Sequence, residues 1–179
     1  MTDWDGILAR NGPAVWRCAY RLLGRREDAE DCFQETFVAA LDAFARGPVE
    51  NERALLLRLA TARAMDKLRG RYRRAKREGT TDWESLGGIE STDLQPSDHA
   101  EAAELSGLLR EALATLPPRQ ADVFCLHCLE GWSYQEVADH LGATVDAIGV
   151  LLHRARAKLK TLLAAAAPHR SGTGRGRQS

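Results

Sequence analysis

The chain of 179 residues is long enough for one medium domain or two small ones, and 44% hydrophobic with 28% charged residues is ordinary for a globular protein. Aromatic residues make up only 6%, which favours helices over strands because strands prefer β-branched and aromatic side chains. The formal net charge is zero, so overall basicity gives no argument for nucleic acid. We predict an all-α fold.

The first third of the chain has the pattern of an amphipathic helix that begins near Glu27. Its apolar stripe consists of Ala29, Cys32, Phe33, Thr36, Phe37, Ala40, Leu41 and Phe44. The flanking segments can receive this stripe through Val15, Ala19, Leu22, Leu23, Leu55, Leu56, Leu59, Met65 and Leu68. Gly24 and Gly47-Pro48 separate the segments, because glycine tolerates positive φ and proline cannot continue a helix. We predict a helical domain over residues 1–77.

The charges are arranged in opposed blocks. Residues 67–77 contain seven basic side chains and no acid, whereas residues 78–104 contain eight acids and no Lys or Arg. Residues 78–100 are also rich in Gly, Ser, Thr, Asp and Pro and lack sustained periodicity, which predicts a flexible acidic linker. A second helical domain is expected over residues 101–163, with helices near 105–116, 119–129, 133–141 and 145–163. The small, polar and basic tail, residues 164–179, is expected to be disordered.

Residues 133–163 have the pattern of a helix-turn-helix. Ser133 and Glu136 fit a capping box, and Thr144 can cap the next helix after a short turn at Gly142. The expected seam between the two helices comprises Val137, Ala138, Leu141, Val145, Ile148, Leu152, Ala155 and Leu159. A plain helical hairpin within a bundle is the alternative interpretation of this pattern.

The four cysteines, Cys18, Cys32, Cys125 and Cys128, are too few and too scattered for a disulfide framework, which indicates a reducing compartment. No signal core appears at the N-terminus, and no run approaches the roughly 18 uncharged apolar residues that a membrane span needs. We expect a cytoplasmic protein without membrane insertion. The Cys125-Leu126-His127-Cys128 sequence resembles a zinc or redox motif but has no second pair, so buried structural thiols are expected and no metal or cofactor.

Motifs in both halves resemble the extracytoplasmic-function (ECF) sigma factors, which are promoter-specificity subunits of bacterial RNA polymerase. Arg21-Leu22-Leu23-Gly24 and the following Glu27-Asp28-Ala29-Glu30-Asp31-Cys32-Phe33-Gln34-Glu35-Thr36-Phe37 are similar to region two of that family. Leu116-Pro117-Pro118-Arg119-Gln120, Glu130-Gly131-Trp132-Ser133-Tyr134-Gln135-Glu136-Val137-Ala138 and Leu152-His153-Arg154-Ala155-Arg156 are similar to region four. The resemblance covers nearly all of residues 14–163. It implies two small helical domains, a region-two bundle and a region-four helix-turn-helix, joined by a flexible acidic linker.

The resemblance also implies partners and site residues. The partners are promoter DNA and core polymerase, namely the clamp helices of its largest subunit and the flap of the second, and an anti-sigma factor is a common inhibitor in the family. The polymerase-binding residues implied are Asp28, Asp31, Gln34 and Glu35, which we expect to be exposed, and Phe37, which anchors the stripe behind them. For the strand-separated minus-ten element they are Arg63, Asp66, Arg69, Arg71, Tyr72, Arg73 and Arg74, with arginines on phosphates and Tyr72 on an unpaired base. For the duplex at minus thirty-five they are Ser133, Thr144, Asp146, His153, Arg154, Arg156 and Lys158.

The sequence departs from the family pattern at two places. Ala62 stands where Asn is common and Gly70 where Arg is common, so the base preference of the first domain is open. Gly149-Val150-Leu151 replaces positions that are often polar, and valine and leucine cannot form bidentate hydrogen bonds to bases. We therefore expect duplex recognition through methyl contacts and DNA shape.

Other interpretations stay open at this stage. The acidic faces and the basic run can also be interpreted as ordinary solvated surfaces. The linker either mimics nucleic-acid charge in a polymerase channel or is only a solubilising tether. A stand-alone helix-turn-helix regulator explains residues 119–163 but not the first domain, and a thiol or zinc sensor would rest on Cys125 and Cys128. An enzyme is not expected, because no phosphate-binding loop, nucleophile elbow or multi-ligand metal motif appears.

Overall fold

The computed structural model describes residues 2–79 and 96–166, and within them it contains helices and no strand. The all-α prediction is thus confirmed. The helices are α1 (Trp4–Leu23), α2 (Arg26–Ala45), α3 (Glu52–Glu78), α4 (Pro96–Ala114), α5 (Pro118–Phe124), α6 (Tyr134–Leu141) and α7 (Val145–Ala166), and a π-helical turn, Cys125–Leu129, follows α5.

Local signals account for several helix ends. The Asp3 side chain accepts a hydrogen bond from the Gly6 amide at 2.9 Å, and Asn51 caps α3 in the same way through the Ala54 amide. Gly24 ends α1 in the left-handed region, with φ of 71°, and its amide bonds the Tyr20 carbonyl. The tight Gly24 turn directs the chain straight into α2.

The first three helices form a bundle around a core of small and aliphatic side chains. The fully buried members include Val15, Cys18, Ala19, Leu22, Leu23, Ala29, Cys32, Leu56, Ala60, Met65 and Leu68. Leu41, which we predicted in the stripe of α2, is instead 48% exposed. It follows the buried Ala40 directly, and one residue turns a helix by about 100°, so Leu41 points away from the core.

The second set of helices shares this core. Leu113, Leu116, Ala121, Cys125 and Leu159 belong to the same continuous buried cluster as the residues of α1 and α3. A separate small cluster lies under the helix-turn-helix and comprises Val123, Leu126, Val137, Ala138, Ile148 and Leu152. The two halves of the chain therefore pack directly against each other.

Two helices extend beyond their predicted limits. Helix α4 begins at Pro96, inside the segment predicted as linker, because proline is compatible with a first helical position and alanines follow it. Helix α7 continues to Ala166, three residues into the predicted tail, since alanine has the highest helix propensity. The remainder of the predicted linker, residues 80–95, and the tail after 166 lie outside the described residues.

Candidate nucleic-acid and polymerase interfaces

The outward face of α2 combines acidic, amide and apolar side chains. Asp31, Gln34, Glu35, Val38 and Asp42 line one side of an open groove between α2 and α3. Val38 is 63% exposed although it is aliphatic. Because these positions recur every three or four residues, they form one continuous stripe that faces solvent.

Two of the predicted acids on α2 also hold α3 in place. Asp28 Oδ2 lies 3.0 Å from Arg71 Nη1, and Glu35 Oε1 lies 2.8 Å from Lys67 Nζ. The hydrogen bond to Glu35 raises the pKa of Lys67. Asp28 is half-buried rather than exposed as we expected, so Asp31 and Gln34 are the predicted residues that remain open to a partner.

Phe37 supports α2 from behind. Its ring packs on Phe33 with centroids 4.9 Å apart, and Phe33 meets Trp16 edge to face at 6.2 Å. Both phenylalanines are half-buried against the core. Val38 and Leu41, rather than Phe37, supply the exposed apolar surface of this helix.

The side chains predicted to bind DNA on α3 differ in exposure. Arg63, Asp66, Arg73 and Arg74 are exposed, whereas Arg69, Arg71 and Tyr72 are half-buried. Tyr72 packs against the core. The exposed arginines are therefore the ones placed to meet phosphates.

Arg71 is fixed between α1 and α2. Its Nη1 donates hydrogen bonds to the Leu23 carbonyl and to Asp28 Oδ2, both at 3.0 Å. Burial lowers the pKa of Arg71, and the Asp28 carboxylate partly offsets that effect. This arginine joins three helices, a structural task that its place in a basic run did not reveal.

Arg69 faces the second half of the molecule. It lies 3.7 Å from Asp66, and its side chain is 18% exposed. Asp122 of α5 is within electrostatic reach, because the Arg69 charge counteracts the burial that raises the pKa of the Asp122 carboxyl. The packing of α5 against α3 thus covers part of the surface predicted for the minus-ten element.

Ala62 and Gly70 lie on the surface of α3. Ala62 is exposed, and a Cβ added at Gly70 would meet no atom within 4 Å. Both departures from the family pattern therefore leave open space where a longer side chain would project.

Two arginines, one from each half of the chain, form hydrogen bonds to the other half. Arg21 of α1 donates to the Leu129 carbonyl and approaches Glu130 Oε1 at 3.4 Å. Arg110 of α4 reaches back and donates from Nε to the Arg21 carbonyl at 3.3 Å. Arg110 is only 2% exposed, and burial lowers its pKa to about 10. No local pattern indicates the role of Arg110, because Gly24 and Arg21, which it contacts, are 86 and 89 residues away in the chain.

The helix-turn-helix has the predicted local geometry. The Ser133 amide donates to Glu136 Oε2 at 2.7 Å, and the Glu136 amide donates to the Ser133 hydroxyl at 3.2 Å. Hydrogen bonds from Ser133 lower the pKa of Glu136. Gly142 makes the turn at φ of 58°, and the Ala147 amide donates to Thr144 Oγ1 at 3.2 Å. The Ser133 side chain therefore serves α6 itself.

The outward face of α7 carries the other predicted duplex-binding residues. Asp146, His153 and Arg154 line a shallow groove together with Tyr134, Val145, Gly149 and Val150. Val145, predicted in the seam, is 38% exposed, whereas Leu151 is half-buried against the core of the helix-turn-helix. Leu151 is thus a packing residue, and only Gly149 and Val150 of that triplet belong to the groove.

Arg156 and Lys158 point to the sides of α7. Arg156 Nη2 lies 3.5 Å from Cys128 Sγ, and Lys158 Nζ donates to the Thr115 carbonyl at 3.1 Å. Both side chains are largely exposed, so these contacts lie at the protein surface. They flank the face that bears His153 and Arg154.

The cysteines differ in exposure. Cys18, Cys32 and Cys125 are buried, whereas Cys128, which we expected to be buried, is exposed on the π-helical turn. Burial raises the pKa of Cys18 to about 12 and that of Cys32 to about 11, and it raises the pKa of Cys125 as well. In the described part of the chain no group of three or more Cys, His, Asp or Glu side chains is placed to hold a metal ion.

A helical bundle packed on a helix-turn-helix module defines the class of the protein. Residues 7–74 match the family model of sigma-70 region 2, and residues 106–159 match that of sigma-70 region 4. Within residues 2–79 and 96–166, none of the helices is long and apolar enough to cross a membrane.

Known proteins extend this similarity. The chain is 32% identical over 165 residues to the RNA polymerase sigma factor CnrH of Cupriavidus metallidurans, covering 88% of this chain and 84% of CnrH. It is 30% identical over 164 residues to the ECF sigma factor SigE of Mycolicibacterium smegmatis, covering 92% of this chain and 63% of SigE. The chain thus belongs to the sigma-70 family, in the ECF group of RNA polymerase sigma factors.

A solved structure has the same fold. The sigma factor RpoE of Bartonella quintana, in complex with the anti-sigma factor NepR, matches with a TM-score of 0.56 and 25% identity, covering 92% of this chain and 98% of RpoE. The chain spans only 45% to 63% of the length of several curated relatives that it matches.

Proposed function

We propose that this chain directs core RNA polymerase to specific promoters and promotes initiation of transcription, and that it carries out no chemical step itself. The observation that carries the proposal is the presence on one chain of both sigma-70 regions, each with an open face that carries charged side chains. A stand-alone helix-turn-helix regulator would need only the second region.

The outward face of α2 is the proposed docking site for the clamp helices of the largest polymerase subunit. Asp31 and Gln34 offer polar groups to a partner helix, and the exposed Val38 adds apolar surface between them and Asp42. A mixed stripe of this kind suits a helix laid against another helix. Glu35 contributes less freely because Lys67 already binds its carboxylate.

The end of α3 is the proposed contact for the separated strands of the minus-ten element. Arg63, Arg73 and Arg74 are exposed and can bind phosphates, Arg63 from the side of the α2–α3 groove. Arg69 is half-buried near Asp122 of α5 and Tyr72 is half-buried against the core, so their use on DNA requires a shift of the elements packed on them. Arg71 supports this surface by fixing α3 to α1 and α2.

Helix α7 is the proposed recognition helix for duplex DNA at minus thirty-five. The capping box and the Gly142 turn position α6 across the start of α7, and the α7 side chains Asp146, His153 and Arg154 face outward. Arg156 and Lys158, at the sides of the helix, are placed for the phosphates that border a groove.

Further partners follow from the relatives. The complex of RpoE with NepR supports an anti-sigma factor as a partner of this chain. We also propose that the second module contacts the flap of the second polymerase subunit and that the protein acts in the cytoplasm, where the polymerase is.

Reconstitution with purified core polymerase tests the proposal. The full chain should form a stoichiometric complex and give discrete run-off transcripts from genomic fragments. Asp31→Arg should weaken the complex at least tenfold, because it reverses the charge of an exposed carboxylate on the α2 face. Glu30→Arg is the matched control, since Glu30 lies outside the α2 groove and pairs with Arg26 on the same helix. Failure of the unaltered chain to bind polymerase would overturn the proposal.

A further inference from the structure

The outward face of α7 contains an apolar notch where polar side chains are usual in a recognition helix. Val145 and Val150 are 38% and 49% exposed, and Gly149 lies between them. A Cβ added at Gly149 would lie 3.8 Å from Cε2 of Tyr134, so the missing side chain exposes the edge of that ring. The floor and walls of the notch are therefore aliphatic and aromatic.

Polar and charged side chains border the notch. Asp146 lies on one side, and His153 and Arg154 lie one turn further along the helix, all exposed. Arg154, together with Arg156 and Lys158 at the sides of the same helix, places positive charge around the notch, as contact with the phosphates of a nucleic acid requires. Its position in the first half of α7 is where a recognition helix meets base edges.

The chemistry of the notch selects among base edges. The valine side chains and the Cε2 edge of the Tyr134 ring offer no donor or acceptor to the major groove, and the Tyr134 hydroxyl is the polar group of its lining. Of the four bases, only thymine presents an apolar group there, the 5-methyl group, and apolar side chains contact it. Adenine and guanine would place N7 and N6 or O6 against an apolar wall, whereas cytosine has only a hydrogen at its 5-position and would leave the notch unfilled.

We propose that the notch formed by Val145, Gly149, Val150 and Tyr134 receives the 5-methyl group of a thymine in duplex DNA, which makes Val150 a specificity-determining residue. The inference rests on the proposed function, because it assumes that α7 enters the major groove. It adds to that function the base that α7 recognises at Gly149 and Val150, where the sequence departs from the family pattern.

Replacement of thymine by uracil tests the notch, because uracil lacks only the methyl group. A randomised duplex library is selected with the full chain bound to core polymerase, and the enriched sequence is prepared again with uracil at each thymine in turn. We expect uracil at one position to weaken binding about fourfold, the change that corresponds to one buried methyl group. Uracil at the other thymines should have little effect.

Variants connect the effect to the notch. Val150→Ala and Gly149→Ala should each bring the ratio of the affinities for the thymine and uracil duplexes close to one. Val150→Ala removes a wall of the notch, and Gly149→Ala fills its space. Gly149→Ala meets only an ordinary contact with Tyr134 and sits inside a helix, so the protein should stay folded. Leu105→Ala, which truncates an exposed apolar residue on α4, is the matched control and should keep the ratio of the unaltered chain.

The outcomes separate the inference from the proposed function. If a sequence is enriched and uracil replaces every thymine without loss, the notch does not read a methyl group, although the chain still acts with polymerase. A ratio that persists in both notch variants would likewise overturn the inference. If polymerase is not bound and no sequence is enriched, the proposed function fails together with the inference.

Discussion

The guanidinium group of Arg110 lies directly over Gly24. A Cβ added to Gly24 would come within 2.5 Å of Arg110 Cζ and 2.7 Å of both terminal nitrogens. Gly24 also has φ of 71°, which side-chain-bearing residues adopt at a cost. Glycine is therefore required at this turn for two separate reasons, backbone conformation and the approach of Arg110.

A double-mutant cycle separates these two reasons. Gly24→Ala should lower the free energy of unfolding by more than the roughly 1–2 kcal/mol expected for a left-handed alanine alone. In an Arg110→Ala background, Gly24→Ala should lower the free energy of unfolding only by the amount expected for a left-handed alanine, because the Cβ no longer meets the Arg110 guanidinium group. Urea unfolding of the four proteins provides the measurement. Equal costs in both backgrounds would show that Arg110 does not occupy the space above Gly24.

Arg21 should hold the two halves of the chain together. Arg21→Met removes the hydrogen bond to the Leu129 carbonyl and the ion pair with Glu130, so the radius of gyration from small-angle X-ray scattering should increase. Arg17→Met, at an exposed position on the same helix, should leave it unchanged. An unchanged radius in both variants would mean that the shared apolar core alone fixes the arrangement.

The cysteines should differ in reactivity. Cys128 is exposed, whereas Cys18, Cys32 and Cys125 are buried and have raised pKa values. Because the thiolate is the nucleophile, iodoacetamide at neutral pH should modify one thiol of the folded chain and all four after denaturation. Mass spectrometry of Cys128→Ser should then show almost no rapid modification. Rapid labelling of Cys125 would instead indicate that the second module opens readily.

The capping box should contribute measurably to the helix-turn-helix. Ser133→Ala removes the hydroxyl that accepts from the Glu136 amide, and loss of such a cap costs about 1 kcal/mol. Ser133→Thr retains the hydroxyl and should cost little. Urea unfolding of the two variants measures the difference, and an alanine variant as stable as the threonine variant would show that the cap is dispensable.

Acidification should destabilise the protein through His140. Its Nε2 is buried with no hydrogen-bond partner among the described residues, its ring packs edge to face on Trp132 at 5.3 Å, and burial together with Arg58 lowers its pKa. A lowered pKa means that the unfolded chain takes up the proton first. The contribution of His140 to stability is then complete above pH 6.5, the ordinary histidine pKa, and declines as the pH falls below it.

A histidine variant isolates this effect. Between pH 7.5 and 5.5, the free energy of unfolding should fall less in His140→Gln than in the unaltered chain, because the other four histidines are common to both. Equal slopes in the two proteins would assign the pH dependence to other groups.

Features set by local sequence were predictable, and features set by distant partners were not. The capping box, the Gly142 turn and the apolar spacing of α2 depend on residues within a few positions, so the pattern alone located them. The engagement of Arg71 depends on the Leu23 carbonyl, 48 residues earlier, and its neighbours in the basic run gave no indication of it. For the same reason Asp28 was predicted to be exposed.

Part of what we missed was nevertheless available in the sequence. Val38 and Asp42 share the spacing of Asp31 and Glu35 along α2, which would have placed all four on one face. The burial of Arg110 had no counterpart in sequence spacing, because it depends on how α4 crosses the end of α1.

The continuous core has a consequence for any state in which the two modules lie apart. Leu113, Ala121 and Cys125 lose contact with α1 and α3 when the modules separate, and both sides then present fresh apolar surface to water. Such surface favours re-closure or adhesion to another protein. A partner that keeps the modules apart must therefore cover that surface as well as bind the polar faces.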